Sequence, residues 1–145
     1  MFGFYSREVA DALVQTVMQA KRTGKALAIQ LVLDAGQSTL AKFDGIPVNQ
    51  WFAQNGFDVR LVAGPNEDGD PMYEKQHNKF MIVDDQLLMT GSFNLSPTAE
   101  NFSFENSNLT TDSIAIAAFA DMLARMYGRG WAPRSKAPAA AYKVW

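Results

Sequence analysis

The sequence predicts an α/β domain, and three observations carry that expectation. An apolar, aromatic segment at residues 2–5 runs into a helix-period pattern that lasts until Gly24. A continuous apolar run follows at residues 26–33, and another apolar segment at 58–62 comes after a short helical stretch. Strand, helix and strand in that order form a β-α-β unit, which lays its strands parallel and covers them with helices. A length of 145 residues suits one domain, and 48% hydrophobic residues are enough for a sizeable core.

Each element has its own local signal. Ser6 is a good N-cap, and Val9, Leu13, Val14, Val17 and Met18 recur at helical spacing behind it. The run at 26–33 is broken only by Gln30, as expected of a strand buried on both faces. Residues 34–45 are polar and contain glycine, so they read as a loop. Pro47 opens a short helix bearing Val48, Trp51 and Phe52 and ending at Gly56, and residues 58–62 form the next strand. Residues 64–76 carry proline, glycine, asparagine and four acidic side chains, again a loop. Asp68 and Asp70 suggest calcium, but Gly69 is misplaced for such a loop and no glutamate closes it, so a solvated acidic loop is expected.

Residues 80–83 and 87–90 are apolar and flank Asp84, Asp85 and Gln86, the pattern of a hairpin. A polar stretch at 94–101 precedes an imperfectly alternating strand at 102–109. Ile116, Phe119, Ala120, Leu123, Met126 and Tyr127 then mark an amphipathic helix opened by Asp112 or Ser113. A Pro- and Ala-rich tail follows Gly130, which divides the chain into a domain at 1–130 and a mobile tail at 131–145, with Trp131 and Trp145 able to dock.

Composition narrows the chemistry. With no cysteine there is no disulfide framework, thiol nucleophile or thiolate metal site. The net charge of -2 argues against a general polyanion binder, although every charged side chain after Asp121 is basic: Arg125, Arg129, Arg134, Lys136 and Lys143. No apolar stretch is long enough to span a membrane, and no secretion signal opens the sequence, so a cytoplasmic protein without stable membrane insertion is expected.

The informative text is His77-Asn78-Lys79, four residues, Asp84, six residues, then Gly91-Ser92-Phe93-Asn94. On a strand, His77 and Lys79 share a face, as do Ser92 and Asn94, while Gly91 permits close backbone approach. Imidazole, ammonium, hydroxyl and amide can converge on one anion. A phosphate suits that set: Lys79 neutralises charge, Ser92 and Asn94 donate hydrogen bonds, and His77 attacks or transfers a proton. Asp84, at a hairpin turn, suits backbone bonding better than chemistry.

This segment resembles the HKD signature of the phospholipase D superfamily, HxKx4Dx6GSxN, and matches it at His77, Lys79, Asp84, Gly91, Ser92 and Asn94. The resemblance runs from Phe2 to about Trp131 and includes Phe4-Tyr5-Ser6, the turn from Ala20 to Gly24 and the run ending at Asp34. It implies a mixed, largely parallel sheet flanked by helices, with one HKD motif per chain. It also implies that Glu105 orients the nucleophilic histidine, that Lys79, Ser92 and Asn94 bind phosphate, and that Asp84 and Gly91 support the motif. Single-motif members look most like small bacterial endonucleases that act as homodimers.

The family's reaction uses two histidines, and this chain has one. The resemblance therefore implies a homodimer whose two His77 side chains meet at one phosphate, one attacking to form phosphohistidine and the other serving the leaving group, with no metal or cofactor. A nucleic acid substrate, DNA or RNA, is the leading expectation. A phospholipid substrate, or an inactive remnant, is the alternative. Members of the family usually begin with a strand and helix before the Phe-Tyr-Ser text, whereas this sequence starts within the following strand, so a shortened N-terminal unit is expected; a lost upstream segment could have directed the protein to the periplasm or outside the cell.

Overall fold

The computed structural model describes residues 3–63 and 75–133. The elements in order are α1 (Arg7–Arg22), β1 (Gln30–Asp34), α2 (Gln37–Leu40), β2 (Lys42–Phe43), β3 (Ile46–Pro47), α3 (Val48–Gln54) and β4 (Asp58–Val62). They continue with β5 (Phe80–Val83), β6 (Leu87–Gly91), α4 (Pro97–Phe102), β7 (Ser107–Thr110) and α5 (Ser113–Arg129). Ser6 caps α1 by accepting from the Val9 N–H at 3.3 Å, and Asp112 caps α5 by accepting from the Ala115 N–H at 2.8 Å.

The expected mixed α/β architecture is present. Strands β1 and β4 run parallel, pairing Gln30 with Asp58 and Asp34 with Val62. Strands β5, β6 and β7 form an antiparallel sheet in which Met81 lies opposite Met89, and Met89 opposite Leu109. Among the described residues, parallel pairing between named strands is confined to β1 and β4, with one further isolated parallel bridge from Phe4 to Leu95. The turn between β5 and β6 is far too short for the crossover that parallel strands need. Helix α5 packs across β1, β4, β5 and β6 and holds the two sheets together, burying Met126 against Val32 and Val62.

The main core lies beside the parallel pair. Phe52 is fully buried, with ring centroids 4.9 Å from Phe4, 5.3 Å from Trp51 and 5.1 Å from Phe57, all edge-on. Edge-on aromatic pairs add about 0.5–1.5 kcal/mol each beyond their buried area. The helix expected after Pro47 therefore carries the centre of this core.

Several local expectations are corrected. The first strand is reduced to one parallel bridge between Phe4 and Leu95, with the Tyr5 N–H donating to the Leu95 carbonyl at 2.7 Å. The apolar run at 26–33 pairs only from Gln30 onward, because among the described residues β1 has β4 as its sole neighbour. The polar stretch at 94–101 contains α4, capped by Ser96, which accepts from the Ala99 N–H at 3.2 Å. The strand expected at 102–109 is confined to Ser107–Thr110. Within the expected loop at 34–45 lie α2 and a tight β2–β3 turn, whose Asp44 and Gly45 have φ of 53° and 78°. Trp131, expected to be able to dock, is bridged to Leu61. The Asp68–Asp70 calcium reading and residues 134–145 of the expected tail lie outside the described residues.

Candidate active site

The carboxyl ends of parallel strands are the usual place for a site in α/β proteins. Strand β1 ends there in Asp34, and the chain returns to that point at Gln76, whose backbone N–H donates to Asp34 Oδ2 at 2.7 Å. His77 comes next and is exposed, whereas Lys79, two residues on, is buried.

The Lys79 ammonium donates to the His77 backbone carbonyl at 2.7 Å and lies 3.1 Å from Nδ1 and 3.2 Å from Nε2 of the same ring. An ammonium only donates, so it favours a ring nitrogen with a free lone pair. Partial burial first, then the charges of Lys79 and Lys75, push the His77 pKa below 6.5, and Asp34 pulls it the other way. Burial also lowers the Lys79 pKa, while Glu105 supports its charge. The free site thus favours neutral imidazole, the form that can attack phosphorus.

Gly91 closes the other side. Its N–H donates to the Lys79 carbonyl at 3.2 Å, and a Cβ there would lie 2.1 Å from the Asn106 carbonyl oxygen, so only glycine fits. That approach brings residues 105–106 onto Ser92. The Ser92 N–H donates to the Asn106 carbonyl at 3.0 Å, and Ser92 Oγ accepts from the Asn106 N–H at 3.0 Å and donates to Glu105 Oε2. The Ser92 hydroxyl proton therefore goes to Glu105 and not to the phosphate expected from the motif. Glu105 in turn acts electrostatically on Lys79.

Asn94 is fixed differently. Its Oδ1 accepts from the Gly3 N–H at 3.2 Å, which leaves the amide nitrogen as the donor for a ligand. A Cβ at Gly3 would lie 3.1 Å from Asn94 Cγ, so a larger residue there would have to displace the Asn94 side chain by a few tenths of an ångström. Asp84 stands apart at the exposed tip of the β5–β6 hairpin with φ of 51°, five residues and roughly 16 Å of strand from Lys79. Its contribution is a left-handed turn position that aspartate tolerates.

His77, Lys79, Gly91, Ser92 and Glu105 therefore form one connected cluster, Asn94 lies two residues past Ser92 and is held to Gly3, and Asp84 stands apart at the hairpin tip. Sequence reasoning missed three participants: Asp34, Gln76 and Asn106. Asp34 had a usable signal, a carboxylate directly ending a buried parallel strand. Among the described residues, no group of three or more His, Asp or Glu side chains could hold a metal ion, and no helix is long and apolar enough to cross a membrane.

Comparison with known proteins agrees with this fold. Two solved structures share the fold. NucT from Helicobacter pylori is similar with a TM-score of 0.75 at 18% identity, over 91% of this chain and 78% of that one. Nuc from Salmonella typhimurium, a phospholipase D family member, is similar with a TM-score of 0.69 at 25% identity, over 92% and 78%. No curated protein matches. Residues 1–127, which include every residue of the cluster, match the family described as "Cardiolipin synthase, PLD-like domain", and the chain belongs to that phospholipase D-like family.

Proposed function

We propose that this phosphodiester hydrolase is a nuclease that cleaves DNA or RNA through a phosphohistidine, without a metal ion, at a site shared by two copies of the chain. The observation that carries the reading is the His77 ring held against a buried Lys79 ammonium. A neutral ring nitrogen of one His77 attacks phosphorus, and the P–O bond to the leaving alkoxide breaks. A protonated His77 from the second copy gives its proton to that oxygen, then takes one from the water that attacks the phosphohistidine and frees the first ring. Lys79 and the Asn94 amide stabilise the charge on the phosphoryl oxygens. Ser92 holds Glu105, and Glu105 accepts a hydrogen bond from a His77 ring, fixing its tautomer.

A second copy is supported by the open face of the β5–β7 sheet. Met81, Met89 and Leu109 form a cross-strand apolar row on that face, with Met81 45% and Leu109 68% exposed. Strand alternation puts Lys79 on the same side as Met81 and Val83, so a copy covering this row brings its own motif toward the first.

The similarity to proteins named Nuc and NucT supports nucleic acid as the substrate. The description of the matched family, which names cardiolipin synthase, supports the second reading, a phospholipid substrate with the same covalent chemistry. Incubation with plasmid DNA, RNA and phosphatidylcholine vesicles, each in EDTA, separates the two. Nicking or degradation of nucleic acid in chelator is expected. Release of choline without nucleic acid cleavage selects the lipid reading, and a strict need for a divalent cation overturns both.

A further inference from the structure

Asp34 is 1% exposed, and both of its carboxylate oxygens are used: Oδ1 accepts from the Gln37 N–H at 2.8 Å and Oδ2 from the Gln76 N–H at 2.7 Å. A buried carboxylate is costly unless it is hydrogen-bonded, and two short backbone bonds satisfy it. Asparagine could accept only one of them and would present its own N–H₂ to the other donor. The position therefore requires aspartate.

What Asp34 holds is the residue before His77. Gln76 is itself buried, and its side-chain nitrogen lies 3.5 Å from Met126 Sδ on α5, so the chain is anchored here on both backbone and side chain. His77 is the first residue to leave that anchor for solvent. On the other side, the Gln37 side chain accepts from the Tyr5 hydroxyl at 2.6 Å, which links Asp34 to the segment whose Gly3 fixes Asn94.

We propose that Asp34 is a positioning residue for the reaction: by gripping the Gln76 N–H from the end of β1, it fixes where the His77 ring enters the site. Its charge has a second effect. Among the described residues, Lys75 and Lys79 on its own segment and Asp34 from β1 act on His77, while Glu105, before β7, acts on Lys79. Asp34 partly offsets the lowering by burial and the two lysines, and so favours the His77 cation, the form the proposed mechanism needs on one of its two rings. This inference rests on the proposed role of His77, but its test does not depend on activity alone.

His77 is the only histidine, so an NMR titration of the imidazole reads it without ambiguity. In folded Asp34→Asn protein, the His77 midpoint should move to lower pH than in wild type, and kcat on an aryl phosphodiester or a DNA oligonucleotide should fall by up to about 10²-fold with KM little changed. A folded variant in which either the midpoint or kcat stays at the wild-type value overturns the proposal. If Asp34→Asn does not fold, hydrogen exchange in wild-type protein decides. The Gln76 amide should exchange slowly, and exchange at the rate of a free loop amide overturns it. If nuclease activity is absent altogether, the titration and the exchange still judge Asp34, whereas the substrate assays judge the nuclease reading.

Discussion

The two sides of this molecule are finished to different degrees. Around α3 the core is closed: Phe4, Phe43, Trp51, Phe52 and Phe57 pack ring on ring and are almost wholly buried. The β5–β7 sheet buries only one face, where Leu88 is 1% exposed and the Phe80 ring lies 5.1 Å from Phe119 of α5. Its other face leaves Met81, Val83 and Leu109 in solvent. The reactive cluster is built on this open half. Stability and chemistry are thus separated, with the closed half supplying the fold and the open half carrying a site and an apolar face that a second copy would cover.

Substitutions can break that division, and the largest effect belongs to the open half. His77→Asn should reduce turnover by on the order of 10⁴-fold or more while the melting temperature stays at the wild-type value. Normal rates in this variant, measured on the same substrate, are incompatible with a phosphohistidine. Lys79→Ala should lose about 10²–10³-fold in kcat, since the phosphoryl charge loses its main counter-charge.

The closed half should answer in stability instead. Phe52→Ala is expected to cost about 3–5 kcal/mol in denaturant unfolding, by leaving a cavity among four rings. Leu109→Asp, on the open face, should leave the unfolding of the isolated chain within about 0.5 kcal/mol but shift sedimentation toward monomer and lower activity in proportion. If Leu109→Asp leaves the oligomeric state untouched, the open face is not where copies meet.

Smaller effects sharpen the chemistry. Glu105→Gln should slow hydrolysis by roughly tenfold with little change in KM, because the tautomer is less firmly held. The acid limb of the kcat/KM profile should fall below 6.5, since burial and the neighbouring lysines lower the His77 pKa and keep the attacking ring neutral to lower pH. A limb above 6.5 would contradict that environment.

Much of this was legible in the sequence because the signals were local. The Ser6 cap, the helix after Pro47, the strand at 58–62 and the hairpin around Asp84 follow from period and turn chemistry. The motif residues were legible through their spacing. What escaped depends on distant partners: whether residues 26–29 pair is decided by a neighbouring strand, and the Ser92 hydroxyl could not be assigned to Glu105 before the approach at Gly91 was known. Asp34 and Gln76 are separated by 42 positions, so no local pattern joins them. The Asp44-Gly45 turn does carry a local signal, since that pair between apolar residues favours a hairpin.

The claim that two His77 rings serve one phosphate is tested most directly by mixing chains. Wild-type protein is allowed to exchange subunits with a large excess of His77→Asn protein, and phosphodiesterase activity is measured per wild-type chain. With a shared site nearly every wild-type chain is paired with an inert one, and the activity should disappear. Activity that stays constant per wild-type chain at every ratio, with exchange verified by a labelled subunit, would mean that each chain works alone.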